Sequence, residues 1–260
     1  MRCVLAVTTY NRLHYLRECL DGFVRTRSED HHWTVMVADD ASTDGTKQFL
    51  ERFPLDYLVI NPRCGVAHQT NTLLQLLAGL DFDYCFKCDD DLLFLRPGWD
   101  KLYIGAIRAS GLDHLAFDHP EFNLGDWCRD YRLTTLVRRG PLLARVRAEG
   151  VKGCFYTITP RVLDRVGYLD SVNFFHGLEH TDYSMRCGRV GLASPDLAFD
   201  AVGSNAVLGY RFPWNREQPT LNNEQYEASG NRPAETAAKL DLLRSARSFL
   251  PYHPCQRRMA

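Results

Sequence analysis

Residues 84–91 read YCFKCDDD, so an apolar run leads directly into three adjacent aspartates. The run has the length and composition of a strand that is buried in a sheet. Adjacent carboxylates repel one another, and a chain seldom places three of them at the end of a buried strand unless a positive charge lies nearby. The stretch therefore raises two linked questions, which fold holds this strand and which cation offsets its charges.

The sequence around this stretch alternates short apolar runs with helical patterns. Strands are predicted at residues 3–8, 33–38, 57–61 and 84–88. Helices are predicted from a stripe of Leu16, Cys19, Leu20 and Phe23, then at residues 46–53 with Ser42 or Asp44 as N-cap, at 66–80 and at 99–110. Four alternations of strand and helix, with strands that are almost continuously apolar, predict an α/β fold, with a mostly parallel sheet covered by helices on both faces.

A polar cluster follows each of the four predicted strands. The clusters are TTYNR at 8–12, DDASTDGT at 39–46, NPRCG at 61–65 and DDD at 89–91. The carboxyl ends of parallel strands lie at one edge of a sheet, and such sheets bind their ligands at that edge. The sequence therefore predicts one site to which all four clusters contribute.

The second half of the chain is less regular. Residues 118–147 show little periodicity and are expected to form an elaborated loop region. Residues 153–170 predict a strand and a helix that starts at Pro160, and residues 178–191 predict a helix that closes on glycine. A last helix is predicted at 234–250. This helix can dock on the domain or cover the site as a lid, or it can touch a membrane surface through Arg244, Arg247, Arg257 and Arg258. Docking on the domain is the default expectation.

Composition excludes some classes of function. The 260 residues carry 31 Lys and Arg against 32 Asp and Glu, so no charge excess suits nucleic acid as a partner. The nine cysteines are odd in number and scattered along the sequence, and several lie inside apolar runs, which predicts reduced thiols and a cytoplasmic protein rather than a zinc or disulfide framework. No run approaches the roughly 18 apolar residues of a membrane span.

The three aspartates fit a divalent cation. On a strand alternate side chains share a face, so Asp89 and Asp91 are expected on one side and Asp90 on the other. Two carboxylates on one face are hard oxygen ligands, and phosphate and water can complete the octahedron around the ion. A solvated acidic turn is the alternative, but the position after a buried strand favours the metal site.

The motifs VTTYNR, VADDASTDGT, DDDLLFLRPGW and GLEHTDYSMR occur in this order over about residues 1–195, and together they resemble the family 2 glycosyltransferases with the GT-A fold. The resemblance implies a Rossmann-like, mostly parallel sheet flanked by helices, with a C-terminal helical extension. It implies a GT-A domain at 1–232, in which about 1–112 binds the nucleotide and about 113–232 faces the acceptor, and a helical tail at 233–260. The implied activity is an inverting transfer from a nucleotide sugar, usually a UDP-sugar, to a hydroxyl of a glycan or other acceptor.

The resemblance also implies roles for single residues. Those matched to nucleotide-sugar binding are Thr8, Tyr10, Asn11, Arg12, Asp39, Arg63, Asp89 and Asp90. Tyr10 would stack on the base and Asp39 would accept a hydrogen bond from it, although Asp39 and Ser42 also suit a capped turn. Asp89 and Asp91 would hold Mn²⁺ or Mg²⁺ against the diphosphate.

The catalytic helix departs from the family pattern. Where the family commonly has a Glu-Asp pair whose Asp is the general base, this chain has Glu179 and His180, and either can accept a proton. Asp182 falls in the same candidate catalytic set, but its spacing from Arg186 also predicts an ion pair within the helix. Both Glu179 and His180 can also be ordinary residues of a helix start.

Weaker candidates and rival functions complete the prediction. His176 is a candidate third metal ligand, and stacking on an acceptor sugar is open to Trp127, Tyr131 and Trp214, although a structural role is expected for each. One rival is a GT-A-like protein that binds nucleotide sugar or glycan without turnover. The other is a sugar nucleotidyltransferase, which normally has a glycine-rich phosphate loop where TTYNRLHY has no glycine.

Overall fold

The computed structural model describes residues 1–118, 136–145, 153–174, 178–195, 198–211 and 247–254. The strands are β1 (Arg2–Thr9), β2 (His32–Asp39), β3 (Tyr57–Ile60), β4 (Tyr84–Asp89), β5 (Leu92–Phe94), β6 (Leu136–Arg139), β7 (Leu142–Arg145), β8 (Phe155–Ile158), β9 (Asp200–Ala201) and β10 (Leu208–Tyr210). The helices are α1 (Leu13–Thr26), α2 (Thr46–Leu50), α3 (Val66–Leu77), α4 (Trp99–Ser110), α5 (Pro160–Val166) and α6 (Glu179–Arg189), with a short 3-10 helix at Ser204–Ala206.

The central sheet has the strand order β3-β2-β1-β4-β8. β1, β2, β3 and β4 run parallel, and β8 runs antiparallel beside β4. The register sets Thr8 between Ala38 and Asp89, and it sets Thr9 beside Asp39. The four predicted strands therefore end side by side, as the sequence predicts for a mostly parallel sheet.

Apolar side chains of β1 alternate between two cores, one on each face of the sheet. Cys3, Leu5 and Val7 pack with α1 and α4, whereas Val4 and Ala6 pack with α3, α5 and α6. The predicted stripe on α1 is fully buried in the first of these cores. A strand apolar along its whole length is thus explained by helices on both faces of the sheet.

Two helices are shorter than their patterns predict. α2 ends at Leu50, and its N-cap residue is Gly45 rather than Ser42 or Asp44. Gly45 has a φ of 91°, a backbone conformation that glycine adopts without steric strain. Asp44 instead accepts hydrogen bonds from the backbone and the hydroxyl of Thr46. α3 ends at Leu77, before the tight turn that contains Gly79.

The region expected to be loop contains strands. β6 and β7 pair as a hairpin around Gly140, and β7 also pairs with β9. These strands read LVRR and LLAR, and their arginines leave only a very short apolar run, which is why the sequence pattern missed them. Two further short strands, β5 and β10, form an antiparallel pair that brings Tyr210 opposite Leu92.

The described part of the C-terminal segment is not helical, so the predicted helix end at Leu250 is wrong. The Leu250 backbone donates to the Val166 carbonyl (3.1 Å) and accepts from the Tyr168 amide (3.0 Å), which ties the segment to the end of α5. Pro251 follows, and a residue before proline disfavours helical backbone. The segment docks on the domain here; the rest of the predicted helix lies outside the described residues.

Two predictions from composition have different outcomes. In the described part of the chain six cysteines are free and buried, but Cys64 is disulfide-bonded, so the expectation of reduced thiols is wrong at that position. A search of the described helices finds none with the length and hydropathy that a membrane crossing requires.

Candidate active site

The turn after β1 is tied to the acidic motif after β4. The Thr8 hydroxyl donates to Asp89 (3.1 Å), and the Thr9 hydroxyl donates to Asp90 (2.8 Å). Parallel pairing of β1 with β4 sets these residues next to each other, although 81 positions separate each pair in the chain. Two of the four polar clusters are therefore in direct contact.

The turn after β1 is also tied to the loop after β2. The Asn11 amide donates to the Ser42 hydroxyl (2.8 Å), and the Thr43 amide donates to Asn11 Oδ1 (2.7 Å). The Ser42 backbone and hydroxyl both donate to Asp39, whose side chain is fully buried. Burial raises the pKa of Asp39. The capped turn that the sequence allows for Asp39 and Ser42 is thus present.

Asp40 joins the third cluster to the others. Its buried carboxylate accepts from the Cys64 amide (2.6 Å), the Gly65 amide (3.0 Å) and the Gln69 side chain (2.6 Å), and it pairs with Arg63. These bonds fix the loop after β3 against the loop after β2. The predicted convergence of all four clusters on one edge of the sheet is therefore confirmed by their contacts.

Backbone strain concentrates at this edge. Of the residues that the structure describes, three other than glycine have positive φ: Asn11 (50°), Ala41 (65°) and Leu178 (68°). Asn11 and Ala41 lie in the loops after β1 and β2, and Leu178 caps α6. A left-handed backbone costs an alanine or leucine about 1–2 kcal/mol. Such strain persists where the surrounding contacts impose it, and it clusters at functional sites.

Two cations of the chain itself offset the three aspartates. Arg12 bridges Asp90, at 2.9 Å, and Asp91, whereas Lys87 pairs with Asp89. β4 ends at Asp89 and a turn follows, so the strand alternation that predicts Asp90 on the opposite face from Asp91 does not extend to these residues. Asp90 and Asp91 instead face the same guanidinium.

Lys87 is buried, with 2% of its surface exposed. Burial alone would lower the pKa of Lys87, but its ion pair with Asp89 and the nearby Glu179 raise it, so the side chain stays charged. Its ammonium also lies 5.5 Å from the centre of the Tyr156 ring on β8. Lys87 thus places a fixed positive charge between the acidic motif and the first turn of α6.

Burial dominates the electrostatics of the acidic motif. It raises the pKa of Asp91 to about 7, a shift that Arg12 opposes and Asp90 and Asp89 reinforce. The pKa of the Arg12 guanidinium is raised by Asp90 and Asp91 against the effect of burial. Ionised aspartates at this site therefore depend on nearby cations.

The motif fits a divalent cation that is completed by other ligands. The buried Asp91 Oδ1 accepts no hydrogen bond from the described residues, and Asp89 is partly exposed with carboxylate oxygens of the kind that Mg²⁺ and Mn²⁺ prefer. Within the described ranges no three or more His, Cys, Asp and Glu residues are grouped to hold a metal. Mg²⁺ is commonly held by one or two carboxylates with phosphate and water, and the site fits that pattern.

α6 presents Glu179 and His180 beside the acidic motif. Glu179 Oε1 lies 3.1 Å from His180 Nδ1, and the His180 side chain is the more exposed of the two, at 20% against 8%. The imidazole packs against Gly153, and the next residue, Cys154, accepts a hydrogen bond from the Asp89 amide (2.9 Å). Two residues of backbone thus separate Asp89 from His180.

Asp182 has a structural environment. Its carboxylate accepts from Arg186 Nε (2.7 Å), and both side chains are fully buried. Arg186 also donates to the carbonyls of Val166 (2.8 Å) and Tyr168 (2.8 Å), which joins α6 to the end of α5. The predicted ion pair within the helix is confirmed, and it gives Asp182 a structural role.

Tyr10 and Arg63, both predicted to contact the nucleotide, form a pair. The Arg63 guanidinium carbon lies 3.6 Å from the centre of the Tyr10 ring. Arg63 is anchored in turn by Asp40. The structure thus brings Tyr10 and Arg63 together at the same edge as the acidic motif.

Pattern reasoning missed three residues of the site. The sequence does not distinguish Asp40 from Asp39, and Lys87 falls inside a predicted strand, although a lysine inside an apolar run is itself a signal of a buried charge partner. Tyr210 gave no signal at all. Burial and the nearby Asp91 raise the pKa of Tyr210, and the amide of the next residue, Arg211, donates to the Asp91 carbonyl (2.9 Å).

Four weaker candidates lie outside the described residues. They are His176, Trp127, Tyr131 and Trp214.

Comparisons with known proteins agree with this architecture. The family model described as glycosyl transferase family 2 matches residues 4–165. A protein of Acanthamoeba polyphaga mimivirus, named as an uncharacterised glycosyltransferase, is 26% identical over 213 residues, which cover 78% of this chain and 79% of the relative. A shorter match, 31% identical over 93 residues, joins 34% of this chain to 26% of an uncharacterised protein of Mycobacterium tuberculosis.

Solved structures share the fold. A mannosyltransferase from Pyrobaculum calidifontis, in complex with GDP-Man and Mn²⁺, superposes with a TM-score of 0.55 at 20% identity, covering 73% of this chain and 52% of that chain. GalNAc-T7 with UDP, GalNAc and Mn²⁺ gives 0.61 at 10% identity, covering 82% and 44%. This chain therefore spans about half the length of these structures. The α/β architecture with a mostly parallel sheet is the GT-A fold, as the motifs predict.

Proposed function

The chain belongs to glycosyl transferase family 2, and from that premise we propose that it is a metal-dependent, inverting glycosyltransferase that moves a sugar from a UDP-sugar to an acceptor hydroxyl. One observation carries the proposal. The acidic motif and the Glu179–His180 pair lie on either side of Gly153 and Cys154, at the edge where all four strand-end clusters meet. A donor diphosphate at one and an acceptor hydroxyl at the other would lie within reach of each other.

The donor would lie over the loops after β1, β2 and β3. The uracil base would stack on the face of Tyr10 opposite Arg63, because an aromatic ring suits that contact. Asp39 would accept a hydrogen bond from the base once the Ser42 hydroxyl rotates away from its carboxylate. The ribose and diphosphate of the donor would be held by Thr8, Asn11, Arg12, Asp89 and Asp90.

Asp89 and Asp91 would hold the divalent cation. Bound there, Mn²⁺ or Mg²⁺ would act as a Lewis acid and offset the charge on the departing diphosphate. Among the neighbouring folds, two are in complex with Mn²⁺, which supports a divalent ion of this kind. Oδ1 of Asp91 has no hydrogen-bond partner among the residues that the structure describes, which supports this position for the ion.

His180 is the better candidate for the general base, with Glu179 as its positioning partner. A carboxylate 3.1 Å from Nδ1 holds the proton on that nitrogen, so Nε2 is left as the acceptor. The acceptor hydroxyl would then pass its proton to Nε2 as its oxygen attacks the anomeric carbon. Glu179 is more buried than His180, which favours the histidine as the residue that meets the acceptor.

Calorimetric titration of UDP tests the donor site. We expect UDP to bind with Mn²⁺ present, to bind much more weakly in EDTA, and to lose its metal-dependent binding in Asp91→Ala. Asp21→Ala is the matched control because Asp21 is an exposed residue of α1. A screen of UDP-sugars for hydrolysis follows. GDP, CDP and dTDP replace UDP if it fails to bind, and failure of every nucleotide with metal would contradict the proposal.

A binding protein without turnover is the second candidate. It is favoured by His180, which stands where the family commonly has an aspartate base. Both candidates would bind UDP, so only sustained transfer or hydrolysis of a UDP-sugar separates them. The division into a donor half at about 1–112 and an acceptor half at about 113–232, the cytoplasmic location and the peripheral membrane contact stay predictions.

A further inference from the structure

Arg12 occupies the position from which a cation can act on Asp91. Its two terminal nitrogens pair with Asp90, at 2.9 Å, and with Asp91. Both aspartates are 98% or more buried, and the Arg12 side chain keeps 13% exposure. Asp91 therefore already has a positive partner before any metal ion binds.

This pair differs from the buried pair of Arg186 with Asp182 in α6. Every nitrogen of the Arg186 guanidinium donates to a fixed acceptor, namely Asp182 or a carbonyl of α5 and the turn after it. Oδ1 of Asp182 and Oδ1 of Asp91 both lack a hydrogen-bond partner among the described residues, but the buried Nε of Arg12 lacks one as well, whereas no nitrogen of Arg186 does. The Arg12 pair is thus incompletely satisfied and reaches solvent, which are the properties of a contact that can exchange.

The charges at the motif set the order of events. Three carboxylates against Arg12 and Lys87 leave one negative charge when all five groups are ionised. A divalent ion alone would turn this into an excess positive charge a few ångströms from the guanidinium, in a buried region where repulsion is weakly screened. A diphosphate that arrives with the ion would remove the excess.

We propose that Arg12 is an internal counter-cation of the acidic motif, which a divalent ion displaces from Asp91 only when a nucleoside diphosphate enters with it. The released guanidinium then binds the diphosphate, for which its bidentate geometry is suited. The proposal rests on the proposed function, since it assumes the cation at Asp89 and Asp91. It predicts that the resting protein binds metal weakly and that metal and nucleotide bind cooperatively.

Electron paramagnetic resonance of free Mn²⁺ tests this without any measurement of activity. Mn²⁺ is titrated into the full chain with and without UDP, and with GDP in parallel, for the wild type, Arg12→Gln and Arg17→Gln. Arg17 is an exposed residue of α1 whose guanidinium lies over Phe49, so its variant controls for the loss of one charge from the same helix. We expect UDP to tighten Mn²⁺ binding at least about tenfold in the wild type and in Arg17→Gln.

In Arg12→Gln we expect Mn²⁺ alone to bind about tenfold tighter than in the wild type. We also expect UDP to increase the affinity for Mn²⁺ by a smaller factor than in the wild type. A purely structural arginine would leave the affinity for Mn²⁺ alone unchanged or reduce it. Arg12→Lys keeps the charge but cannot hold both carboxylates, so a severalfold tightening is expected, and this variant decides the question if Arg12→Gln does not fold.

The failures are distinguishable. If the wild type binds Mn²⁺ with nucleotide but neither Arg12 variant binds Mn²⁺ alone more tightly, the counter-cation role is overturned and the proposed function stands. If the wild type binds no Mn²⁺ with any nucleotide, the metal site fails and the counter-cation role fails with it.

Discussion

Gly153 lies directly against the imidazole of His180. A Cβ built on Gly153 would overlap Cγ and Nδ1 of the ring, so only glycine leaves the imidazole where it is. The neighbouring residue Cys154 holds the Asp89 amide, and β8, which starts at Phe155, pairs with β4. The position of the candidate base is thus set by the same backbone that supports the acidic motif.

Gly153→Ala should displace His180 and slow turnover. Because the added methyl group moves the imidazole away from Glu179, we expect kcat for UDP-sugar hydrolysis or transfer to fall by about 10- to 100-fold, while UDP affinity changes little. Gly105→Ala is the matched control: Gly105 is exposed on α4, nothing lies within 4 Å of an added Cβ, and this change should raise stability by about 0.5–1 kcal/mol. Full activity of Gly153→Ala would contradict the placement of the base.

His180→Gln and Glu179→Gln should differ in their effects on turnover. If His180 is the base, His180→Gln should lower kcat by about 10²–10⁴, because proton transfer by a positioned group contributes that much. Glu179→Gln should lower kcat by a smaller factor, because it only weakens the hydrogen bond between residue 179 and His180 Nδ1. Steady-state kinetics with saturating donor decide between them. A larger loss in Glu179→Gln would make the carboxylate the base, and full turnover in both would remove α6 from the mechanism.

Arg186→Met should destabilise the fold. It leaves the buried Asp182 carboxylate without its charge partner and removes two hydrogen bonds to the end of α5, so we expect the free energy of unfolding to fall by about 3–5 kcal/mol. Urea denaturation measures this, with Arg165→Met as the control because Arg165 is exposed on α5.

Asp182→Asn separates stability from catalysis at the same ion pair. We expect it to lower the free energy of unfolding but to keep near-normal kcat at a temperature where the variant is folded. A loss of kcat beyond about tenfold in a fully folded Asp182→Asn would return Asp182 to the catalytic set.

His114 should make the protein sensitive to acid. Burial lowers the pKa of His114 to about 4 from 6.5, and the ring is held between the Thr157 carbonyl (2.9 Å) and the Ser184 hydroxyl (2.8 Å). The unfolded chain takes up a proton below pH 6.5 whereas the folded protein does not until about pH 4. The contribution of neutral His114 to the free energy of unfolding is therefore fully present above pH 6.5. As the pH falls to 4, the free energy of unfolding decreases by roughly 3 kcal/mol because of this group.

Urea denaturation of wild type and His114→Gln between pH 7 and 4 checks this expectation. The variant has no titrating ring, so its stability should decline less steeply over this interval. Parallel declines in the two proteins would show that other groups account for the acid sensitivity.

Much of the fold follows from local sequence. Cys3–Thr8 and Trp33–Ala38 are mostly apolar, and α4 has the predicted bounds of Trp99–Ser110, because long periodic elements carry their own signal. The four polar clusters also had to meet, since parallel strands place their carboxyl ends at one edge. The motifs VTTYNR, VADDASTDGT, DDDLLFLRPGW and GLEHTDYSMR resemble the family 2 glycosyltransferases, and the family match over residues 4–165 confirms that resemblance.

Which charges meet at that edge was decided only by the tertiary structure. Arg12 and Asp91 are 79 residues apart, and no local pattern shows that the cation facing the aspartates belongs to the chain itself. Adjacent Asp39 and Asp40 look alike in sequence, yet one is capped by Ser42 and the other fixes the loop that contains Gly65. Side-chain direction at a strand end depends on where the strand stops and on what packs above it. Sequence therefore determined the elements and the edge at which they meet, whereas long-range packing determined the partner of each charged group.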